Sequence, residues 1–66
     1  MNLEQIAQQA MNYLDSVGVA ADYEVNGKSD YVLCVHTDIA SHRFKYNASK
    51  HALRIIKNAY PQKSPS

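Results

Sequence analysis

The spacing of apolar residues changes twice along this chain of 66 residues, and the change limits the folds open to it. Leu3, Ile6 and Leu14 recur at the spacing of an α-helix. Residues 20–37 alternate instead with a period of two, as a strand does when one of its faces is buried. Helical spacing returns in the last third of the chain. The pattern therefore predicts a helix, then strands, then a second helix.

The limits of the first helix are marked by residues that favour its two ends. We predict this helix over residues 3–17. Asn2 is a favourable N-cap, because its side-chain oxygen accepts a hydrogen bond from the first helical turn. Glu4 stands in that turn, where the helix dipole favours a negative charge. Gly18 is a C-terminal stop, since glycine readily adopts the left-handed conformation that ends many helices.

The alternating region predicts a hairpin and a central strand. Residues 21–25 alternate apolar and polar side chains, which is typical of a half-buried strand. Asn26 and Gly27 then favour a tight hairpin turn, because both positions of such a turn need a positive φ. Residues 31–35 are apolar on both faces, which indicates a strand with a neighbour on each side. The hairpin register stays open between loops of two, three and four residues.

A third strand and a second helix complete the pattern. Thr37 and Asp38 mark a turn, and residues 40–46 alternate again, with Arg43 and Lys45 on the outer face. Either Asn47 or Ser49 is suited to cap the second helix. Its predicted apolar stripe is Ala48, Ala52, Ile55, Ile56 and Ala59, with Leu53 and Tyr60 at the margins.

Together these elements predict a small two-layer α+β domain. Its order is helix, three-stranded antiparallel meander, helix, and both helices cover one face of the sheet. We expect residues 1–60 to form this single domain and residues 61–66 to form a disordered tail. Tyr23, Tyr31 and Tyr46 are expected to pack in or beside the core, and the second sheet face is left open.

Cysteine content and hydropathy favour a cytoplasmic protein without cofactors. Cys34 is the one cysteine, so no disulfide forms within the chain, and a buried thiol in a reducing compartment is the preferred interpretation. The first residues lack the basic and apolar regions of a signal peptide. No stretch approaches the roughly 20 apolar residues of a membrane span.

Charge is segregated along the chain. All six acidic residues lie in the first 38 positions, whereas six of the seven Lys and Arg residues lie after them. Such a local field attracts polyanions even when the net charge is only +1. We therefore predict a nucleic-acid or phosphate site formed by Arg43, Lys45, Ser49, Lys50, His51, Arg54 and Lys57.

Within that site, the spacing of three basic residues is the most informative feature. Lys50, Arg54 and Lys57 fall at i, i+4 and i+7, on one side of the predicted helix. Lys50 is expected in the first turn, where it opposes the helix dipole, beside backbone N–H groups that suit an anion. Two other interpretations stay open: a solvated basic face, and a surface for an acidic protein partner.

The order of elements resembles the double-stranded RNA-binding domain. Residues 3–9 occupy the place of that family's first helix, and Asp22-Tyr23-Glu24-Val25 looks like the start of its first strand. Ser49-Lys50-His51-Ala52 falls where the family has a Ser-Lys-Lys-x-Ala-like helix start. The resemblance implies that basic residues there bridge phosphates across a groove. The chain departs from the family at His51, which replaces a lysine, and in lacking Gly-x-Gly before the helix.

Cysteine and histidine suggest chemistry that we rank below binding. Cys34 and His36 share a strand face, and His42 would lie opposite them if the next turn is tight. Such a set is able to hold zinc, but the spacing matches no standard zinc pattern. A Cys34–His42 nucleophile pair lacks an orienting carboxylate. We therefore predict no metal, no catalytic residue and no enzyme activity.

Two functions from different classes remain. The first is a non-catalytic module whose basic half binds a polyanion, above all a nucleic-acid phosphate backbone. The second is a small protein-interaction module, an inhibitor or adaptor of the size used by phages and mobile elements. Homodimer formation is a variant of the second function.

Overall fold

A helix, a three-stranded sheet and a second helical segment make up the described part of the chain. The computed structural model describes residues 2–26 and 30–62. The elements, in chain order, are α1 (Leu3–Ser16), β1 (Ala21–Val25), β2 (Tyr31–Thr37), β3 (Ser41–Lys45), α2 (Tyr46–Ser49) and α3 (Ala52–Ala59). The strands form one antiparallel sheet in the order β1-β2-β3, and the helices pack on one of its faces. The predicted α+β class and helix–meander–helix order are confirmed.

The ends of α1 follow the predicted signals closely. The Asn2 side chain accepts a hydrogen bond of 2.9 Å from the backbone N–H of Glu4. At the other end Gly18 has a φ of +77°, and its N–H bonds the carbonyl of Asp15. The N–H of Val19 bonds the carbonyl of Leu14, which completes a Schellman motif. The helix ends one residue before the predicted limit.

The structure settles the hairpin register that the sequence leaves open. Ala21 pairs with Thr37 and Val25 with Leu33, so the chain between β1 and β2 runs from Asn26 to Asp30. Asn26 has the predicted positive φ, at 58°. Gly27 and the rest of the predicted tight turn lie outside the described residues. The prediction that β2 is the central strand is confirmed.

One face of the sheet and the helices enclose the core. Alternation along the strands turns Leu33, Val35 and Phe44 inward, against Leu14 and Ile56 from the helices. A step in register lies between Tyr31 and Leu33, where an extra residue on β2 lets Val32 also contact the core. The opposite face, which we call the open sheet face, carries the polar residues that alternate with these.

The second helical segment is broken, contrary to the prediction of one helix. α2 ends at Ser49, and α3 begins after His51. The prediction that Asn47 or Ser49 caps a helix is wrong. Ser49 is fully buried, and its hydroxyl donates to the carbonyl of Tyr46, three residues earlier in α2. A hydroxyl that is bonded back into its own turn does not serve as a cap for a following helix.

The buried stripe of this segment also differs from the predicted one. Ala52, Ile56 and Tyr60 are buried at intervals of four, whereas Ile55 is 40% exposed. Tyr60 was predicted at the margin and is a core residue. Tyr46 was predicted beside the core and is 68% exposed, because β3 ends at Lys45 and the chain turns into α2. Ala59, also predicted to be buried, is exposed.

The predicted tail falls largely beyond what the structure describes. Pro61 and Gln62 are exposed and have no regular secondary structure. Residues 63–66 lie outside the described residues, so the prediction of a disordered tail stays a prediction.

Tyr60 joins four parts of the fold. Its hydroxyl lies 2.7 Å from the hydroxyl oxygen of Thr37 and 2.8 Å from Nε2 of His42. The rings of His42 and Tyr60 meet edge to face, with centroids 5.5 Å apart. The backbone carbonyl of Tyr60 accepts a hydrogen bond from the hydroxyl of Tyr13 in α1. One residue at the end of α3 therefore connects β2 and β3 through its side chain and α1 through its backbone carbonyl.

Replacing Tyr60 with Phe should destabilise the protein by about 1–3 kcal/mol, because Thr37 and His42 lose a partner inside a partly buried site. Denaturant unfolding at neutral pH measures this free energy. Tyr46→Phe is the matched control: the same hydroxyl is removed from an exposed ring, and the change should stay within about 0.5 kcal/mol. Equal losses in the two variants would contradict the role given to the Tyr60 hydroxyl.

A second tyrosine joins the start of α1 to β1. The hydroxyl of Tyr23 donates to a carboxylate oxygen of Glu4. This hydrogen bond raises the pKa of Tyr23 above its ordinary value of 10.0, with smaller contributions from desolvation and from the charge of Glu4. A raised pKa of a neutral acid means that the folded state retains the proton more strongly than the unfolded chain does.

The contribution of Tyr23 to stability should therefore be fully present below pH 10 and should be lost as the pH rises through the folded-state pKa. Tyr23→Phe is expected to be less stable than the wild type at pH 7, and this difference should shrink above pH 10. Unfolding curves at pH 7, 9 and 11 measure it, with Tyr46→Phe as the control. A difference that is the same at all three values would contradict the assignment.

Candidate functional site

Charged side chains on the open sheet face are sorted by strand. Asp22 and Glu24 of β1 are exposed there, and so are Arg43 and Lys45 of β3. Between the two charged strands lies β2, whose side chains on this face are partly buried. Strand pairing arranges the face in two rows: Asp22, His36 and Ser41 in one, and Glu24, Cys34 and Arg43 in the other. The face is thus acidic along one edge and basic along the other.

Two contacts hold polar groups in place on this face. Nδ1 of His36 lies 2.9 Å from the hydroxyl oxygen of Ser41. The ammonium of Lys45 lies 5.9 Å from the centroid of the Tyr31 ring, with which it pairs across the strands. A cation over an aromatic face gains about 0.5–1 kcal/mol at an exposed site. Tyr31 therefore contacts a basic strand, whereas we expected it to pack in or beside the core.

Three basic side chains form a second charged surface, which we call the basic helix row: Lys50, Arg54 and Lys57. All three are exposed. Arg54 lies two positions before the buried Ile56, which places it on the side of α3 that faces away from the sheet. The ammonium of Lys57 lies 5.6 Å from the centroid of the Tyr13 ring of α1. Lys57 therefore borders the seam between α1 and α3.

Lys50 has a different setting from the one predicted. It is the C-cap of α2 and precedes α3, so it does not stand in the first turn of a helix. A cation at a helix C-terminus interacts favourably with the dipole. Lys50 also directly precedes His51, the N-cap of α3, so it stands between the C-terminus of one helix and the N-terminus of the next.

The seven residues of the predicted site do not form one surface. Arg43 and Lys45 lie on the open sheet face, and the helices cover the other face. Ser49 is fully buried, so its hydroxyl does not reach a ligand at the surface. His51 is exposed and is the N-cap of α3, next to Lys50. The structure brings together the basic helix row and His51, and it separates them from the basic strand.

Sequence reasoning missed an amide-rich face on α1. Gln5, Gln9 and Asn12 are exposed and share the side of α1 that faces away from the sheet. The hydrogen bond from Tyr13 to Tyr60 places the C-terminal ends of α1 and α3 side by side. The amides of α1 and Arg54 of α3 therefore both lie on the outer side of the helix layer, away from the sheet. The amides occupy the polar positions between the apolar residues of α1, and this spacing is visible in the sequence. They were missed because the predicted site residues were chosen by charge, and amides are uncharged.

The cysteine and the histidines do not converge. Cys34 pairs with Arg43 on the open sheet face, whereas His42 pairs with Val35 and points inward, where it bonds Tyr60. The expected placement of His42 opposite Cys34 is therefore wrong. Among residues 2–26 and 30–62, no three His, Cys, Asp or Glu side chains are grouped closely enough to hold a metal ion.

An open cleft of about 710 Å³ lies where α1 and α3 end. The described residues that line it include Val17, Val19 and Pro61, together with Tyr60. No Asp, Glu, His, Lys or Arg is among those described lining residues. The described part of the lining therefore offers no charged group with which to orient a ligand.

Comparisons with other proteins give no match from which a function could be inferred, so the function is argued from the geometry alone. In the part of the chain that the structure describes, no helix has the length and apolar character needed to cross a bilayer. Neither family models, nor curated proteins, nor solved structures yield a match to this chain. The α-β-β-β-α order is compatible with the double-stranded RNA-binding domain, and that likeness stands on topology alone.

Proposed function

We propose that the protein is a non-catalytic module that binds the phosphate backbone of a nucleic acid through the basic helix row. The observation that carries this proposal is the set of exposed cations on the second helical segment: Lys50 between α2 and α3, and Arg54 and Lys57 on α3. The chain contains no acidic residue after Asp38, so that segment has no carboxylate of its own. Neutralising phosphates with such side chains releases counterions, which supplies most of the affinity in backbone recognition.

The neighbouring face of α1 supports the same function. Gln5, Gln9 and Asn12 provide neutral donors and acceptors on the same outer side of the helix layer as Arg54. A helix of amides next to a row of cations suits a nucleic-acid groove, where hydroxyls and base edges lie between two phosphate backbones. Duplex RNA is therefore the first ligand to test. The topological likeness to the double-stranded RNA-binding domain favours the same choice.

The proposed surface is smaller than the site predicted from sequence. It retains Lys50, His51, Arg54 and Lys57 and leaves out Arg43 and Lys45, which face the other way. With only three permanent cations, we expect affinity in the range typical of non-specific binding, about 10⁻⁴–10⁻⁶ M at physiological salt. The lone cysteine is free, and we place the protein in the cytoplasm.

An acidic protein surface is the second candidate partner, for an inhibitor or adaptor role. The observation in its favour is Ile55, which is 40% exposed beside Arg54 on α3. An exposed aliphatic side chain next to cations suits a protein interface better than a phosphate backbone. An acidic peptide and a nucleic acid of equal charge therefore distinguish the two candidates.

Paired arginine and lysine variants test where the polyanion binds. Arg54→Gln and Lys57→Gln should weaken binding and lower the slope of log K against log salt by about one for each phosphate contact removed. Arg43→Gln and Lys45→Gln remove the same charges from the opposite face and should leave the slope unchanged. Fluorescence anisotropy with labelled duplex RNA, duplex DNA and single-stranded RNA, at several salt concentrations, measures both quantities.

Each outcome of that experiment has a definite meaning. Equal losses in the helix and strand variants would contradict a site confined to the basic helix row. Tighter binding of a polyglutamate peptide than of any nucleic acid would favour the protein partner. Circular dichroism confirms that each variant is folded before its affinity is compared.

A further inference from the structure

The open sheet face has a charge pattern that is complementary to itself. Acidic side chains lie on β1 at one edge, basic side chains lie on β3 at the other, and the uncharged Cys34 lies between them. Glu24, Cys34 and Arg43 stand in one row across the three strands. Cys34 is also the middle residue of β2 and is partly buried. A second copy of this face, turned over, presents Arg43 opposite Glu24 and the uncharged Ser41 opposite Asp22.

We propose that two copies of the protein associate through their open sheet faces, related by a two-fold axis parallel to β2. The charges select this arrangement. An axis parallel to β2 places β1 of one copy over β3 of the other, so Glu24 faces the partner's Arg43 twice in the dimer. An axis across the strands would place β1 over β1, with acid facing acid. Such like-charge contacts cost an interface several kcal/mol.

The geometry also places Cys34 near the symmetry axis. Every side chain of β2 on this face lies close to its own copy, and Cys34 is at the centre of the strand. Packed sheets cross at roughly 30°, which inclines the axis by about 15° to β2 and displaces the outer rows more than the centre. The facing sheets lie about 10 Å apart, whereas a disulfide needs Cα atoms within about 7 Å. A short bifunctional maleimide should therefore link the two Cys34 thiols, although a direct disulfide should not form readily.

The size of the face indicates a weak dimer. Three strands about 4.8 Å apart, with paired segments of five residues at about 3.4 Å each, span a patch of only about 15 by 17 Å. A standard stable interface buries about 800 Å² on each partner. The dimer should therefore dissociate reversibly, and it should weaken as salt screens the Glu24–Arg43 pairs.

Reversing the charges at the proposed interface tests this dimer. Sedimentation over a wide concentration range, with no nucleic acid present, measures the dissociation constant of each variant. Glu24→Arg alone and Arg43→Glu alone each place like charges face to face, and each should weaken the dimer by more than about tenfold. The double variant Glu24→Arg/Arg43→Glu should restore it. An equal mixture of the two single variants should form a heterodimer. In it, the arginines at both positions of Glu24→Arg face the glutamates at both positions of Arg43→Glu.

Arg54→Glu is the matched control for net charge. It changes the charge as Arg43→Glu does, but on the helix side, and it should dimerise as the wild type does. Mixed with Glu24→Arg, it should form less heterodimer than Arg43→Glu does, because at one of the two pairs Arg43 of the control would face the arginine introduced by the Glu24→Arg substitution. The yield of maleimide-linked dimer should rank the samples in the same order as the sedimentation measurement does. Cys34 is the only cysteine in the chain, so no other thiol reacts with the maleimide.

Three results would overturn the proposal. The first is a wild-type protein that stays monomeric and unlinked at the highest soluble concentration. The second is a dimer that survives both single reversals, which would locate the interface elsewhere. The third is a folded double variant that stays monomeric. Because no nucleic acid is present in this experiment, a negative result would contradict the dimer alone and would leave the proposed binding of a phosphate backbone unaffected.

Discussion

The supply of large apolar residues is the constraint on which the rest of this structure depends. Leu14, Leu33, Val35 and Ile56 are the largest apolar side chains that are fully buried, and they fill one layer between sheet and helices. A chain this short does not bury enough surface for a second layer. One sheet face is therefore left to polar residues, and the pairing of strands then decides how their charges are arranged.

That constraint explains why two separate charged surfaces arise from one basic segment. β3 and α3 are both basic. Strand alternation, however, turns Arg43 of β3 toward the sheet face opposite α3, which carries Arg54. The helix side combines cations with the amides of α1, and the sheet side combines cations with carboxylates. The first arrangement suits a uniformly anionic ligand, and the second suits a copy of itself.

Much of the fold could be predicted from sequence, because period and turn residues act locally. The limits of α1, the central position of β2 and the outward direction of Arg43 all follow from spacing. The break after Ser49 could not be predicted, since it accompanies the burial of that residue. The predicted site was too large because its residues were grouped by charge, although the predicted outward direction of Arg43 and Lys45 already placed them on the sheet face opposite the helices.

The contacts of Tyr60 have a consequence for the order of events during folding. Its carbonyl is bonded by Tyr13, 47 positions earlier, and its hydroxyl is bonded by side chains from two strands. Contacts that close such long loops must overcome a large loss of chain entropy before they contribute. On the ribosome, the sheet and α1 would emerge first with their inner surfaces uncovered. Because Ile56 and Tyr60 are core residues, the core is closed only after the end of α3 has been synthesised and has packed.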